Sequence, residues 1–296
     1  MRCRYWISQA AIGVIIASSV WGQVVSTGPA DPSAGRVAAK TLKVSAVQMR
    51  SSRDLQANLA KTVRFLRQCA GQGSRVVVFP ECSVTGYFED AIRQTTAEQL
   101  ADAERHIGEA CRDANVYAVV GMPTRANGRL YNSAVILSPE GRVIERFHKM
   151  QLVEGWPSPG EHLSIYRIDG IWCTTIICHD ERYPELVRLP VLAGAQVVFY
   201  LSHESGLREE RKIEPYRAQI QAWAVENGVY VVHANAPAND DATGSHGQSR
   251  IIGPDGTILT EASIFREKAV TATLALARAT RTNALNAFRN PLLRSW

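Results

Sequence analysis

The sequence predicts one large α/β domain in which two layered sheets are covered on their outer faces by helices. Segments with strand and helix patterns alternate along the chain from Thr41 onward. The second half of the chain repeats the hairpin-plus-helix pattern of the first half, and no linker rich in Pro, Gly or Ser separates the two halves. The 296 residues would also suffice for two domains of the usual ~150 residues, so two independent domains are the alternative.

The first half of the predicted domain begins with a strand, Lys43–Met49, in which polar and apolar residues alternate. A helix follows over Asp54–Cys69, with apolar residues at helical spacing and Asp54 as its N-cap. Pro80 ends a short apolar run, and a Ser-Pro-Glu-Gly turn at 138–141 indicates a hairpin. The later elements are expected to be strand Arg75–Phe79, helix Thr96–Ala114, strand Tyr117–Gly121 and the paired strands Tyr131–Leu137 and Arg142–Phe147.

The second half has the same pattern and adds a long helix that Gly228 ends. Asp169-Gly170 and the turn at 253–256 each indicate a further pair of strands. The elements are expected over Leu163–Ile168, Trp172–Ile177, Pro184–Ala193 (helix), Gln196–Leu201, Glu209–Asn227 (helix), Val229–His233, Gln248–Ile252, Thr257–Glu261 and Ala269–Leu274. Residues 276–296 form a C-terminal tail with no clear core face.

Residues 1–22 have the pattern of a secretory signal peptide. Arg2 and Arg4 precede an apolar run, Ala10–Val20, and small residues follow it. The run is shorter than the roughly 20 apolar residues that span a bilayer. We therefore expect an exported protein, periplasmic or secreted, with no stable membrane span after cleavage; an uncleaved amphipathic extension is the alternative.

Residues 23–40 are expected to be a flexible lead, and the folded domain is expected over 41–275. The chain is 46% hydrophobic and 21% charged, which argues against a disordered chain and against a multi-span membrane protein. The net charge of +5 is not concentrated in a basic block interleaved with aromatic residues. Nucleic acid is therefore not an expected partner.

The cysteines point to a free thiol. Removing the signal peptide removes Cys3 and leaves five of the six cysteines, an odd number. They show no Cys-x-x-Cys spacing that would indicate a zinc or redox site. At least one thiol is thus unpaired within the chain, and it is either a buried inert side chain or a nucleophile.

Three segments place a reactive side chain just past the end of a predicted strand, where sites collect in α/β folds. Glu81 follows Pro80, and burial next to apolar sequence is expected to raise its pKa. Lys149 follows the second hairpin strand. Cys178 lies between an apolar strand and a Pro-started helix, an elbow at which backbone N–H groups face the thiol and favour the thiolate. Each residue alone is equally compatible with a structural role.

Taken in order, the segments Phe79–Tyr87, His148–Leu152 and Ile177–Glu185 resemble the three signature segments of the carbon–nitrogen hydrolases, the nitrilase superfamily. Pro159-Gly160 and the segment Val225–Ala234 also fit that family. The resemblance covers roughly residues 42–274. It implies a four-layer α-β-β-α sandwich that associates through its outer helices, as a homodimer or a higher homo-oligomer.

The resemblance implies a catalytic triad of Glu81, Lys149 and Cys178 that acts without a metal or cofactor. It also implies a second glutamate between the lysine and the cysteine. Glu154 is the better match to that residue, and Glu161 is the weaker one. The backbone N–H of His179 is expected to bind the oxyanion, and His179 itself departs from the aromatic residue that often follows the cysteine in the family.

The residues after the cysteine, His179 to Glu185, resemble the amidase and N-carbamoyl-amine hydrolase branches rather than the nitrilases, which commonly have Trp-Glu there. A linear amide or N-carbamoyl amine is therefore the expected substrate, and a nitrile is the alternative. Tyr87, His203 and Glu204 are expected to contact it. Rival functions of other classes are an acyltransferase and a non-catalytic binding protein on the same scaffold.

Overall fold

In the part of the chain that the structure describes, two six-stranded sheets form the centre of the protein. The structure is a computed structural model that describes residues 40–206, 213–241 and 243–294. The predicted signal peptide, 1–22, and all but the last residue of the predicted lead, 23–40, lie outside the described residues. No helix among the described residues is long and apolar enough to cross a membrane.

The strands of the first half are β1 (Thr41–Gln48), β2 (Val76–Val78), β3 (Tyr117–Ala126), β4 (Arg129–Leu137) and β5 (Val143–His148). The others are β6 (Tyr166–Ile168), β7 (Ile171–Ile177), β8 (Val197–Ser202), β9 (Tyr230–Asn235), β10 (Arg250–Ile252), β11 (Ile258–Glu261) and β12 (Lys268–Ala275). The first sheet has the strand order β12-β1-β2-β3-β4-β5, and the second has the order β11-β10-β9-β8-β7-β6. The helices are α1 (Leu55–Gly71), α2 (Glu89–Gln94), α3 (Ala97–Ala114), α4 (Glu185–Leu192), α5 (Ile213–Asn227), α6 (Thr282–Ala287) and α7 (Pro291–Arg294).

Three apolar clusters define four layers. The central cluster joins the inner faces of the two sheets, with Val78 from β2 and Phe199 from β8 among its members. A second cluster packs α1 and α3 against the outer face of the first sheet. A third packs α4 and α5, with Ala284 of α6, against the outer face of the second sheet. The predicted α-β-β-α sandwich is confirmed.

Local sequence signals set the helix starts as predicted. The Asp54 side chain accepts hydrogen bonds from the backbone N–H groups of Gln56 and Ala57, which caps α1. Thr96 caps α3 through a capping box with Gln99. Both caps satisfy N–H groups that the helix leaves without a partner, so they depend on local sequence alone.

The sequence prediction was wrong about the end of the third strand. The prediction ends it at Gly121, but β3 continues to Ala126 and forms a long hairpin with β4. Asn127 and Gly128 form the turn with positive φ angles of 50° and 74°, the Asn-Gly signal of a two-residue hairpin. Pro123 is tolerated because β2 pairs only as far as Val119, so no neighbour on that side needs an N–H.

The strand directions determine where the site lies. Strand β2 runs parallel to β1 and β3, and β7 runs parallel to β8, which runs parallel to β9. The carboxyl ends of parallel strands meet at one edge of a sheet. Glu81 follows β2, Cys178 follows β7, and His203 and Glu204 follow β8, so the structure collects four predicted site residues near these ends.

Candidate active site

Lys149 lies between two carboxylates at the centre of the candidate site. Its Nζ is 2.9 Å from Oε1 of Glu81 and 2.5 Å from Oε1 of Glu154. The side chains of Lys149 and Glu81 are fully buried, and that of Glu154 is 6% exposed. Glu161, the weaker candidate for the second glutamate, lies at the surface with an 81% exposed side chain and pairs with Arg129. The geometry therefore places Glu154, and not Glu161, against the ammonium.

Three donors hold the Glu81 carboxylate. Besides Lys149, Nδ2 of Asn132 donates a hydrogen bond of 2.7 Å to Oε1, and the backbone N–H of His203 donates one of 2.9 Å to Oε2. Burial raises the pKa of Glu81 above its ordinary value, and the charge of Lys149 only partly opposes this shift. The direction matches the sequence prediction and suits a carboxylate that accepts and returns a proton.

The ammonium of Lys149 is the fixed positive charge of the site. Burial by itself would lower the pKa of Lys149, but the negative charges of Glu81 and Glu154 outweigh it and raise that pKa. Burial likewise pushes the pKa of Glu154 upward, and Lys149 reverses the shift so that this pKa lies below its usual value. Lys149 is therefore protonated and Glu154 ionised at neutral pH.

Cys178 begins a short 3₁₀ turn, Cys178–Arg182, directly after β7. Its backbone has a φ of +43°, the left-handed region that non-glycine residues rarely adopt. Such strain is typical of a nucleophile elbow, where a sharp strand-to-helix turn exposes the reactive atom. The thiol is partly buried, whereas Cys69, Cys82, Cys111 and Cys173 are fully buried.

The resting thiol of Cys178 is protonated. Burial raises its pKa well above the ordinary value, the charge of Glu81 raises it further, and Lys149 opposes both. The sequence prediction that the turn favours the thiolate is thus outweighed by desolvation of the sulfur. A thiolate at this position needs a base to take the proton, and Glu81 is held beside the same loop, since the carbonyl oxygen of His203 lies 4.0 Å from Sγ.

Asp180 joins the cysteine turn to the lysine loop. Its Oδ1 accepts hydrogen bonds from the backbone N–H groups of Met150 and Gln151, at 3.1 Å and 2.8 Å. Its Oδ2 accepts one of 3.1 Å from the N–H of Ile177. Burial raises the pKa of Asp180 to about 7, against the opposing effect of these three donors. Asp180 therefore holds the elbow in position.

Tyr87 forms one wall of the site. Its hydroxyl donates a hydrogen bond to Oε1 of Glu154. Its ring stacks on the ring of His203, with centroids 4.8 Å apart and an interplanar angle of 6°. Trp156 packs in a small buried cluster beside Tyr87.

The remaining predicted site residues, His179 and Glu204, differ in how far they are buried. His179 is half-buried, and its ring contacts the ring of Tyr183 edge-on at 6.0 Å. Glu204 is only 4% exposed and faces inward, where the hydroxyl of Tyr200 lies 2.9 Å from its Oε1. Sequence reasoning missed Asn132, for which the available signal was an amide side chain just before the apolar run 134–137 of the same strand.

A base, a thiol and an ammonium on loops that are hydrogen-bonded to one another can add sulfur to a polarised carbonyl carbon and stabilise the resulting oxyanion. Comparison with known proteins agrees with this chemistry. Residues 43–284 match the family model described as carbon-nitrogen hydrolase. An (R)-stereoselective amidase from a Pseudomonas species is 30% identical over 234 residues, which cover 75% of this chain and 81% of that protein.

Other similar proteins have comparable coverage. An omega-amidase of Danio rerio is 26% identical over 238 residues, 74% of this chain and 83% of that protein. An amidase from Nesterenkonia sp., known from its crystal structure, superposes with a TM-score of 0.76 at 23% sequence identity, over 86% of this chain and 96% of that chain. At this identity the structural likeness supports the fold alone.

Proposed function

The chain belongs to the carbon–nitrogen hydrolase family, and we propose that it hydrolyses a linear amide or N-carbamoyl amine through a thioester on Cys178. One observation carries this proposal: the buried ammonium of Lys149 lies 2.9 Å from Glu81 and 2.5 Å from Glu154, and its charge acts on the thiol of Cys178, which starts a strained turn. Burying these three charged side chains together costs free energy of folding. Nucleophilic acyl transfer would use Glu81 as the base, Lys149 to bind the oxyanion and Glu154 to hold Lys149.

In the proposed first step, Glu81 takes the thiol proton as the sulfur of Cys178 bonds to the carbonyl carbon. The carbonyl π electrons move to oxygen, and the ammonium of Lys149 and the backbone N–H of His179 bind that oxyanion. The oxyanion then collapses, the C–N bond breaks, and protonated Glu81 gives its proton to the departing nitrogen. The products are a thioester on Cys178 and free ammonia or amine.

In the second step, water replaces the amine and gives a proton to Glu81 as its oxygen attacks the thioester carbonyl. The same two donors stabilise the second oxyanion, and its collapse breaks the C–S bond. The sulfur recovers the proton from Glu81, and the acid leaves. Glu154 keeps Lys149 charged and in place in both steps, because its Oε1 accepts a hydrogen bond from Nζ.

Two observations support an amide over a nitrile. The residues after Cys178 are His179 and Asp180 and not the Trp-Glu pair that is common in nitrilases. Asp180 has a structural role here, because its carboxylate accepts hydrogen bonds from three backbone N–H groups. In addition, the similar proteins reported above are named as an (R)-stereoselective amidase and an omega-amidase. We therefore propose an amide carbonyl as the group that Cys178 attacks.

Ammonia release from a small panel of linear amides, N-carbamoyl amines and nitriles tests the substrate class. The proposal expects turnover of at least one amide or N-carbamoyl amine, with nitriles converted more slowly. Exclusive conversion of nitriles to acids would overturn it in favour of a nitrilase. Transfer of the acyl group to an added amine in preference to water would indicate an acyltransferase, and thiol alkylation without any turnover would indicate a binding protein.

We also propose that the protein is exported, because Arg2 and Arg4 precede the apolar run Ala10–Val20. Mass spectrometry of the protein recovered outside the cytoplasm tests this proposal. A mature chain that lacks residues 1–22 is the expected result. Full-length chain confined to the cytoplasm would contradict it.

A further inference from the structure

The hydroxyl of Tyr200 lies between two buried carboxyl groups behind the candidate nucleophile. Its oxygen is 2.5 Å from Oε2 of Glu181 and 2.9 Å from Oε1 of Glu204. Tyr200 is fully buried, and Glu181 and Glu204 are 3% and 4% exposed. The same hydroxyl lies 3.4 Å from the carbonyl oxygen of Cys178, so this group contacts the nucleophile's own backbone.

The two contacts of the Tyr200 hydroxyl cannot both be hydrogen bonds if Glu181 and Glu204 are both ionised. A phenol has one O–H and donates one hydrogen bond, whereas an ionised carboxylate only accepts. At most one of the two carboxylates can therefore receive the proton of Tyr200. For the other contact to be a hydrogen bond, that carboxyl group must itself be protonated and donate to the phenol oxygen. The trio therefore holds one proton more than two glutamates have at neutral pH.

The neighbouring groups indicate that Glu204 carries this proton. Oε1 of Glu181 lies 3.4 Å from the guanidinium of Arg182, which favours the ionised form of Glu181. Oε2 of Glu204 contacts Nε2 of His246 instead. Burial lowers the pKa of His246 to about 4, so the ring is neutral, and its Nδ1 has no hydrogen-bond partner in the described structure. The ring therefore carries its proton on Nε2 and donates it to Glu204.

These assignments give one consistent chain of donors. His246 donates to Glu204, the protonated Glu204 donates to Tyr200, and Tyr200 donates to the Glu181 carboxylate. Glu181 belongs to the 3₁₀ turn that Cys178 begins. The chain of hydrogen bonds therefore ends on the turn that presents the nucleophile.

We propose that Glu204 is held as a neutral carboxylic acid that positions the Cys178 turn, and that its ionisation sets the alkaline limit of turnover. This inference rests on the proposed function. Glu204 is a positioning residue in this scheme and does not touch the substrate. The titratable and charged groups that face it from the surrounding elements are Glu81, Glu181, Tyr200, His233, His246 and Arg250.

Loss of the Glu204 proton has two consequences. The hydrogen bond from Glu204 to Tyr200 disappears. Glu204 also gains a negative charge, which adds to the charges of Glu81 and Glu181 that raise the pKa of the Cys178 thiol. The added charge opposes formation of the thiolate, and the lost hydrogen bond weakens the chain that holds the Cys178 turn. Burial, together with the charge of Glu181, raises the pKa of Glu204 to about 8, although Arg250 opposes the shift. The alkaline limb is therefore expected near that pH.

The first test is the pH dependence of kcat/KM for the wild type and Glu204→Gln, with Glu109→Gln on the exposed face of α3 as the matched control. A glutamine amide can donate to Tyr200 and accept from His246 without titrating. We expect kcat/KM of the variant at neutral pH within about tenfold of wild type and an alkaline limb at least one unit higher. The control is expected to keep the wild-type limb, and an unmoved limb in Glu204→Gln would overturn the proposal.

The second test does not depend on activity. The infrared carbonyl stretch of a carboxylic acid is followed from about pH 6 to about pH 10 in the wild type. Because Asp180 also titrates near pH 7, the readout is the wild-type minus Glu204→Gln difference spectrum, in which the bands of the other carboxyl groups cancel. A titrating carbonyl band in this difference spectrum supports the proton on Glu204, and a difference spectrum without such a band overturns it. A wild type that shows this band but hydrolyses no amide would contradict the proposed function and not the proton on Glu204.

Tyr200→Phe provides a further variant in case Glu204→Gln does not fold. It keeps the ring that stacks on His233 and removes only the oxygen to which protonated Glu204 donates. Because the neutral acid loses its acceptor, the alkaline limb and the infrared midpoint are expected to move together to lower pH. Wild-type values for both would overturn the proposal, and so would a shift to higher pH, which is expected if Tyr200 donates to an ionised Glu204.

Discussion

Oε2 of Glu81 accepts a 2.9 Å hydrogen bond from the backbone N–H of His203. The carbonyl oxygen of the same residue lies 4.0 Å from Sγ of Cys178. A single peptide segment after β8 is thus placed between the proposed base, which comes from the first sheet, and the proposed nucleophile, which comes from the second. The relative position of base and thiol depends on the packing of the two sheets.

Glu81→Gln is expected to lower kcat by about 10²–10⁴-fold, because a positioned general base contributes about that much. The amide oxygen of glutamine can still accept hydrogen bonds from Lys149 and Asn132, so the fold should persist. Steady-state kinetics with the best amide substrate and a thermal melt measure the two effects. A kcat within about threefold of wild type would show that Glu81 is not the base.

The acid limb of kcat/KM is expected to report Glu81. The carboxylate must be ionised to take the thiol proton, and burial raises its pKa. Activity should therefore fall as the pH drops through a value above about 4.3, the ordinary pKa of glutamate. A pH profile between about pH 4 and about pH 8 measures the limb. A half-maximal value at or below the ordinary pKa would contradict this assignment.

Lys149→Met is expected to destabilise the fold by about 3–5 kcal/mol, because it leaves Glu81 and Glu154 buried without their cation. Without Lys149 the carboxylates favour protonation in the folded state, so the loss should be larger at about pH 8 than at about pH 5. Urea unfolding at both values measures the free energy of unfolding.

The matched control for Lys149→Met is Lys61→Met. Lys61 pairs with Glu267 at 2.8 Å, but both side chains are more than a quarter exposed. Its loss should cost about 0–1 kcal/mol. Equal destabilisation by the two substitutions would contradict the view that Lys149 is a buried, charged partner of two carboxylates.

Gly160→Ala is expected to displace the lysine loop. A Cβ at this position would lie 2.1 Å from the carbonyl oxygen of His148, and the N–H of Gly160 donates to the carbonyl of Lys149 at 2.9 Å. The substitution should destabilise the fold by about 1–3 kcal/mol and lower kcat at least about tenfold, since small displacements of catalytic groups are costly.

Gly155→Ala is the control for this effect, because an added Cβ there meets no atom within 4 Å. It should change the free energy of unfolding by less than about 0.5 kcal/mol and leave kcat unchanged. Comparison of unfolding curves and kcat for the two variants measures the difference. Equal behaviour of Gly160→Ala and Gly155→Ala would show that the loop position is not limited by this contact.

The sequence predicted the parts of the molecule that depend on local signals. Asp54 and Thr96 cap helices because each side chain reaches N–H groups two or three residues away. Glu81 and Cys178 were identifiable because each follows a short apolar strand. Their grouping with Lys149 was implied by the resemblance of the three segments to one family, and not by the strand patterns themselves.

The remaining features depend on contacts between distant residues. Asn132 binds a carboxylate that is 51 residues away in the sequence, and Tyr200 joins Glu181 to Glu204 only after two elements pack together. The sequence prediction of a favoured thiolate at Cys178 was also wrong, because burial raises the pKa of this thiol. The sequence shows the turn but not the depth at which the sulfur is buried. Burial of this kind is a property of tertiary packing.

The central claim is that the sulfur of Cys178 forms a thioester with the substrate. Intact-protein mass spectrometry after rapid mixing with a turned-over amide, followed by peptide mapping, tests it most directly. We predict an acyl adduct on the peptide that contains Cys178, loss of that adduct and of turnover in Cys178→Ala, and an unchanged adduct in Cys82→Ser, whose thiol is fully buried. Hydrolysis at the wild-type rate by Cys178→Ala, or an adduct on another cysteine, would contradict the claim.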